Sequence, residues 1–564
     1  MDLKTFKMYS VQGMDNTRKV PLSPSARKLK PPIITRKPSV VELIRQKTET
    51  DTSLSYQDQF LSIVVVGASG DLAKKKTYPS LFQLFSQGFL TSNNFNICGY
   101  ARSNYTDESF QEKMRGALTK KFQGKGFQGD IEKFLSHCRY SRGNAYNDVD
   151  AWTLLNETQV GLEGSGETVN RLFYFALPPS QFAPAAAAIT KVAQTTKGWN
   201  RFIVEKPFGV DSESSLQLSK DLAACLREEQ IYRIDHYLGK EMVQNLMVLR
   251  FANIFLSPLW NRDHIKSVII TFKEDIGCDG RGGYFDSAGI IRDVMQNHLL
   301  QILSITAMEP PVKVTGEGHS EYVRDEKVKV LRCIKPFTTD DVILGQYTKG
   351  NGHVGYLDDA TCNNPYCPTF CMAQFEINNP RWDGVPFIMK AGKALDSRKG
   401  EIRIQLKNPP GFTTMFNTDE IPHNELVIRV QPDEDIYMKM NVKMPGLTST
   451  PMISEMDLNY KNRFPELAAG IPDAYTRLIL DVLRGQQAAF VRDDELDAAW
   501  AIFTPLLHKL EEGDESQKIL PTPYAFGSRG PPEADAFLQQ IYVKSEYVYS
   551  DAIQNGKRSN SPHF

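Results

Sequence analysis

The sequence predicts two folds in series, an α/β half built on a doubly wound parallel sheet and a larger α+β half with a mainly antiparallel sheet and helices. Three observations predict it. Between residues 60 and 235, short aliphatic strands alternate with helical stretches, the order that crossover-connected parallel strands require. The first of those strands runs directly into a glycine turn and a helix. Beyond residue 260, runs of period-two alternation appear, as expected of antiparallel strands with one buried face.

The elements follow in order. FLSIVVVGASGDLAKKKTYPSLFQLFSQGFL gives a buried strand, a glycine turn and a helix with apolar spacings of three and four. FNICGYARS, RLFYFALPPS and RFIVEKPFG supply further strands, the last two separated by the helical stretch QFAPAAAAITKVAQTT. After RIDHYLGKE, the stretch EMVQNLMVLRFANIF reads as a helix and KSVIITFKE as a strand. SAGIIRDVMQNHLLQILSITAM predicts one long helix, with Asp286 or Ser287 as its N-cap. TFCMAQFEI, EIRIQLKN and ELVIRVQP alternate as strands, and DAYTRLILDVLRG and DELDAAWAIFTPLLHKLEE read as helices. The expected organisation is a disordered basic extension over 1–55, a Rossmann-like domain over 56–235, an α+β domain for substrate binding and dimerisation over 236–550, and a flexible tail over 551–564.

Composition excludes several functions. With 564 residues, 41% apolar and 24% charged, the chain is an ordinary globular protein in two or three domains. A net charge of −1 argues against nucleic acid, and no run of about 18 apolar residues suggests a membrane span. The first 50 residues hold eleven Lys and Arg against four Asp and Glu, with five prolines, too little apolar surface to offset ordering. A transit peptide is one reading of that stretch, but Asp2 and the prolines spoil an amphipathic presequence, and SNSPHF carries no peroxisomal or prenylation signal. The expected location is the cytoplasm. Cys362, Cys367 and Cys371, with His353 nearby, lack the paired CxxC spacing of a zinc site, so packed thiols and no metal are expected.

Two stretches carry chemistry. The turn GASGDLA sets Gly67, Gly70 and Ala73 between strand and helix, where the backbone of Gly67, Ala68, Ser69, Gly70, Asp71 and Leu72 can approach a pyrophosphate. Arg102 stands just past the second strand, where a site for NAD usually places an acid. A guanidinium there suits a 2′-phosphate, so the expected cofactor is NADP. RIDHYLGKE packs Arg233, Asp235, His236, Tyr237, Lys240 and Glu241 into nine residues, either a solvated turn or a site that holds an anion and moves a proton. His298 lies on the apolar stripe Ile291, Val294, Met295, Ile302, where a core histidine is the ordinary occupant.

With GASGDLAKKK, YARS, EKPFG, RIDHYLGKE and RDVMQNHLLQ in this order and spacing, the chain resembles the glucose-6-phosphate dehydrogenase family from about residue 60 to GSRGPPEAD at 527–535. The resemblance implies oxidation of D-glucose 6-phosphate at C1 to 6-phospho-D-glucono-1,5-lactone by NADP+, the first step of the oxidative pentose phosphate pathway, in a homodimer or homotetramer. It implies that His298 is the general base and that Asp235 holds its other ring nitrogen. His236, Tyr237 and Lys240 would grip the phosphate. Lys206, beside a cis peptide at Pro207, would touch substrate and cofactor. Glu274, Asp293 and Lys393 would bind sugar hydroxyls, with Arg398 close by. Some family members carry a second, structural NADP. Lys399, Arg403, Arg429, Tyr437 and Asp457 match its contacts, but Ala501 replaces an arginine and Tyr549 a tryptophan, so weak occupancy is expected. Two other readings stay open: a sugar oxidoreductase of the glucose–fructose oxidoreductase type, which needs no phosphate cluster, and a catalytically silent NADP-binding regulator.

Overall fold

Six parallel strands make up most of the first sheet: β1 (Phe60–Val66), β2 (Phe95–Ala101), β3 (Cys138–Arg142), β4 (Val169–Phe175), β5 (Asn200–Val204) and β6 (Ile231–Ile234). The computed structural model describes residues 59–541 except 91–93, 124–126, 165–167, 419–420, 466–470 and 513–517. The expected basic extension, the tail and Tyr549 lie outside the described residues.

The strands lie in the order β3-β2-β1-β4-β5-β6, and a two-residue strand, Phe490–Val491, pairs antiparallel with the far side of β6. Ile63 to Val66 are wholly buried because helices cover both faces of a parallel sheet. The order reverses between β1 and β4, and a crevice opens at such a switch point beyond the carboxyl ends of the strands. The glycine turn leaves β1 at that place.

The second sheet contains β7 (Ile265–Lys273), β8 (Val342–Thr348), β9 (Phe370–Phe375), β10 (Phe387–Gly392), β11 (Lys399–Leu406), β12 (Glu425–Gln431), β13 (Asp435–Lys443) and β14 (Pro451–Asn459). Its order is β14-β13-β12-β11-β7-β10-β9-β8, closed by Thr522–Ala525. Pairing is antiparallel except between β7 and β10 and between β8 and Thr522–Ala525. The mainly antiparallel reading therefore holds. Among the described residues no helix is long and apolar enough to cross a membrane.

The predicted long helix differs from expectation. A first helical piece begins earlier, at Gly282 after Arg281, and neither Asp286 nor Ser287 caps it. Gly289 breaks it with φ of 60°, and the chain resumes as a wider π-helix over Ile291–Leu299 that continues into an α-helix over Leu300–Ala307. Asp286 instead accepts from the Asn363 backbone at 2.7 Å and from the Tyr356 hydroxyl. Those donors come from a distant loop, which local propensity cannot anticipate.

Candidate active site

The glycine turn requires its first glycine on two grounds. Gly67 has φ of +86°, and a Cβ there would stand 2.2 Å from the Ala176 oxygen. The chain can therefore turn sharply beside the end of β4 only without a side chain. Ala68 is buried, Ser69 and Leu72 are half-buried, and Gly70 and Asp71 are exposed. Asp71 pairs with Lys74 and Lys75. Ser103 Oγ donates to Ser69 Oγ at 2.9 Å, tying the loop after β2 to the turn. Arg102 in that loop is exposed, 5.5 Å from the Tyr146 ring centroid.

Where β6 ends, Asp235 caps the short turn His236–Gly239, its Oδ1 accepting from the Tyr237 backbone at 2.9 Å. The same oxygen lies 2.6 Å from Nδ1 of His298. Both side chains are buried. The Tyr237 ring stacks on His298 at 4.4 Å between centroids, and His236 meets it edge-on at 4.6 Å. Lys240, half-buried, places its ammonium 5.0 Å from the Tyr237 ring centroid.

Electrostatics divide these groups. Burial alone would raise the Asp235 carboxyl, but attraction to His298 and the hydrogen bond between them, with help from His236 and Lys206, hold it far below the ordinary carboxylate range. Burial depresses the His298 imidazole; Asp235 opposes this and Lys206 adds to it, leaving the imidazole below its ordinary value. Near neutral pH the pair is therefore a carboxylate and a neutral ring, a proton acceptor already held in one orientation. Burial and the neighbouring His298 push His236 well down, and burial lowers Lys240. Asp235, His236 and His298 have ligand-type atoms within 4.8 Å of one another, a grouping accounted for by this hydrogen bond and ring packing.

A rim of charge runs from this pair toward the second sheet. Lys206 follows β5 at the cis Lys206–Pro207 bond and donates to the Asp293 main-chain oxygen at 2.8 Å. Lys393, just past β10, pairs with Glu274 at 2.5 Å and lies 4.0 Å from Asp293 Oδ2. Because β7 and β10 are parallel neighbours, the residues leaving them, Glu274 and Lys393, emerge together. Arg398 is exposed, and its charge reaches Tyr237 and Lys240. The structure thus gathers Asp235, His236, Tyr237, Lys240 and His298 with Lys206, Asp293, Lys393 and Glu274, and sets Arg398 at their edge. The glycine turn and Arg102 stand apart, at the carboxyl end of β1 and β2.

Both halves of the described chain match known proteins. Residues 64–245 match the glucose-6-phosphate dehydrogenase NAD-binding domain, and residues 247–546 match the C-terminal domain of the same enzyme. The chain belongs to the glucose-6-phosphate dehydrogenase family. It is 51% identical to the cytoplasmic isoform of glucose-6-phosphate 1-dehydrogenase of Solanum tuberosum, over 87% of this chain and 93% of the relative. It is 50% identical to that of Dictyostelium discoideum, over 88% and 97%. A chloroplastic relative from Arabidopsis thaliana is 48% identical over 88% and 85%. A solved glucose-6-phosphate dehydrogenase in complex with glucose 6-phosphate superposes with a TM-score of 0.81 at 45% identity, covering 86% of this chain and 99% of that one.

This family member also has site neighbours that sequence reasoning missed. Tyr475 stacks on His236 at 5.6 Å, and Lys76 Nζ lies 3.1 Å from Asp473 Oδ2 beside that ring. Asp473 caps helix Ala474–Arg484, a helix the sequence predicts, but nothing local places it against RIDHYLGKE. Of the residues matched to a second cofactor, Lys399 pairs with Glu401 at 3.0 Å, and Arg403 with Glu401 at 2.7 Å and Glu425 at 2.9 Å. Tyr437 is buried and faces Asp457 across β13 and β14, while Ala501 is exposed. Cys362, Cys367 and Cys371 are buried, and burial pushes the Cys367 thiol up to about 12.

Proposed function

We propose that the chain oxidises D-glucose 6-phosphate at C1 to 6-phospho-D-glucono-1,5-lactone with NADP+ as acceptor. One observation carries this reading: a family relationship along nearly the whole described chain, joined to a buried carboxylate–imidazole pair beside a rim of lysine–carboxylate pairs. The rival sugar oxidoreductase and the silent regulator draw no comparable support.

The residues fit the cofactor. A side chain at Gly67 would fill the space between the turn and β4, and Arg102 forms no ion pair among the described residues. In this reading Gly67 to Leu72 hold the pyrophosphate, Arg102 meets the 2′-phosphate, and Lys206 stands between cofactor and sugar. When bound, NADP+ supplies the acceptor for the hydrogen leaving C1 with its electron pair. His298 takes the C1 hydroxyl proton, so that C1–O becomes a carbonyl as C1–H breaks. Asp235 holds Nδ1 and stabilises the imidazolium. His236, Tyr237 and Lys240 bind the phosphate, while Glu274, Asp293 and Lys393 orient the hydroxyls and Arg398 closes the edge.

A homodimer or homotetramer, formed through the second sheet, is supported by the exposed Met440, Val442 and Met456 on β13 and β14. Cytoplasmic location is supported by the cytoplasmic isoforms among the relatives.

The test follows reduced-cofactor absorbance with glucose 6-phosphate or glucose, each with NADP+ and with NAD+. The expected result is rapid turnover of the phosphorylated sugar with NADP+. Silence with that pair overturns the reading.

A further inference from the structure

Behind the Asp235–His298 pair lies a second buried acid that the proposed oxidation does not use. Glu205 sits between β5 and Lys206 and is 5% exposed. Its Oε1 accepts from the phenol of Tyr174, in β4, at 2.5 Å, and Tyr174 is itself buried. Strand register explains the placement. Tyr174 pairs with Ile203, and two residues on from Ile203 the chain returns to the same face, bringing Glu205 toward the phenol. Val204 pairs with Arg233, so one and two steps further Glu205 and Lys206 run alongside Ile234 and Asp235. The groups that face Glu205 are Tyr174 from β4, Lys206 beside it, Asp235 at the end of β6 and Tyr475 from helix Ala474–Arg484. Among these the only cation, Lys206, directs its ammonium to the main-chain oxygen of Asp293.

We propose that Glu205, oriented by Tyr174, is a positioning residue for the oxidation, its carboxyl setting the field in which Lys206 and the Asp235–His298 pair operate. The inference rests on the dehydrogenase reading above. Burial drives the Glu205 carboxyl toward its protonated form, up to about 7; the Tyr174 hydrogen bond and Lys206 oppose the rise, and the Asp235 charge adds to it. Asp235 is held down by a hydrogen-bonded imidazole, whereas for Glu205 the phenol and Lys206 do not offset burial, so Glu205 is the acid that keeps its proton longer. Across the neutral range it changes charge. Above that range its carboxylate adds negative potential beside Asp235, which favours the imidazolium that His298 becomes on taking the substrate proton. Below it, the same base works without that help.

Glu205→Gln fixes the neutral state and keeps the shape. Turnover of glucose 6-phosphate with NADP+ is measured against pH for the wild-type chain, Glu205→Gln and Tyr174→Phe. At about pH 6 the Gln variant should match wild type within about twofold, and at about pH 8 its kcat should be about three- to tenfold lower, with KM little changed. Tyr174→Phe removes a donor that favours the carboxylate, so its upper rise in kcat should move to higher pH. A wild-type to Gln ratio that is the same at every pH, or a Phe profile that superimposes on wild type, overturns the proposal. Should the Gln variant fail to fold, the Phe profile decides. A wild-type chain inactive on glucose 6-phosphate overturns the underlying reading, a separate result visible before either variant is made.

Discussion

Nδ1 of His298 and Oδ1 of Asp235 lie 2.6 Å apart although 63 residues separate them in sequence. A carboxylate so placed fixes which ring nitrogen carries the proton and leaves the other to act as base. His298→Asn is expected to lower kcat by about 10²–10⁴-fold while glucose 6-phosphate still binds, read as a small change in substrate Kd by calorimetry. Turnover and binding falling by equal factors would mark His298 as a structural residue.

The pH profile carries a sign. As the proposed base, His298 would work only when neutral, and burial holds its imidazole below its ordinary value, so protonation on acidification should extinguish kcat on the acid side of pH ~6.5. Asp235 raises that imidazole, so Asp235→Asn should move the acid limb to still lower pH as well as reduce kcat. A limb that moves upward in this variant would contradict the charge arrangement.

Arg102 is exposed at the end of β2, joined to the glycine turn through Ser103 and Ser69. Arg102→Ala should weaken NADP+ by about 1.5–3 kcal/mol, the worth of hydrogen bonds to a charged group, and leave NAD+ use almost unchanged. Kinetics with both dinucleotides check this. Equal losses would mean Arg102 does not read the 2′-phosphate.

Gly67→Ala should be severe. The positive φ alone costs about 1–2 kcal/mol for a side chain, and the new Cβ would stand 2.2 Å from the Ala176 oxygen, a backbone atom rather than the end of a flexible side chain. Thermal melting and the KM for NADP+ should both worsen. Gly283→Ala, where a Cβ meets nothing within 4 Å, serves as the control.

The nucleotide half was legible because its signals are local. Four buried aliphatics run into GASGDLA within one strand–turn–helix unit, and the alternation of strands and helices sets a parallel sheet. The candidate site was legible only in part. Asp235, His236, Tyr237 and Lys240 share one nonapeptide, but His298 sits on an apolar stripe and reads as core without the family resemblance. Glu274 and Lys393 come from strands far apart in sequence that happen to be parallel neighbours. The break at Gly289 was missed because the apolar spacing continues through it, and Asp286 reads as a cap until the Asn363 loop is folded against it.

The two-residue strand Phe490–Val491 gives β6, which leads into RIDHYLGKE, its outer neighbour. During synthesis that flank of the first sheet stays open until more than 250 further residues have left the ribosome, since Ile234 is held by Phe490. A chain cut short before that point would present an unprotected strand edge to other molecules, so the amino-terminal half is poorly suited to life as an independent fragment.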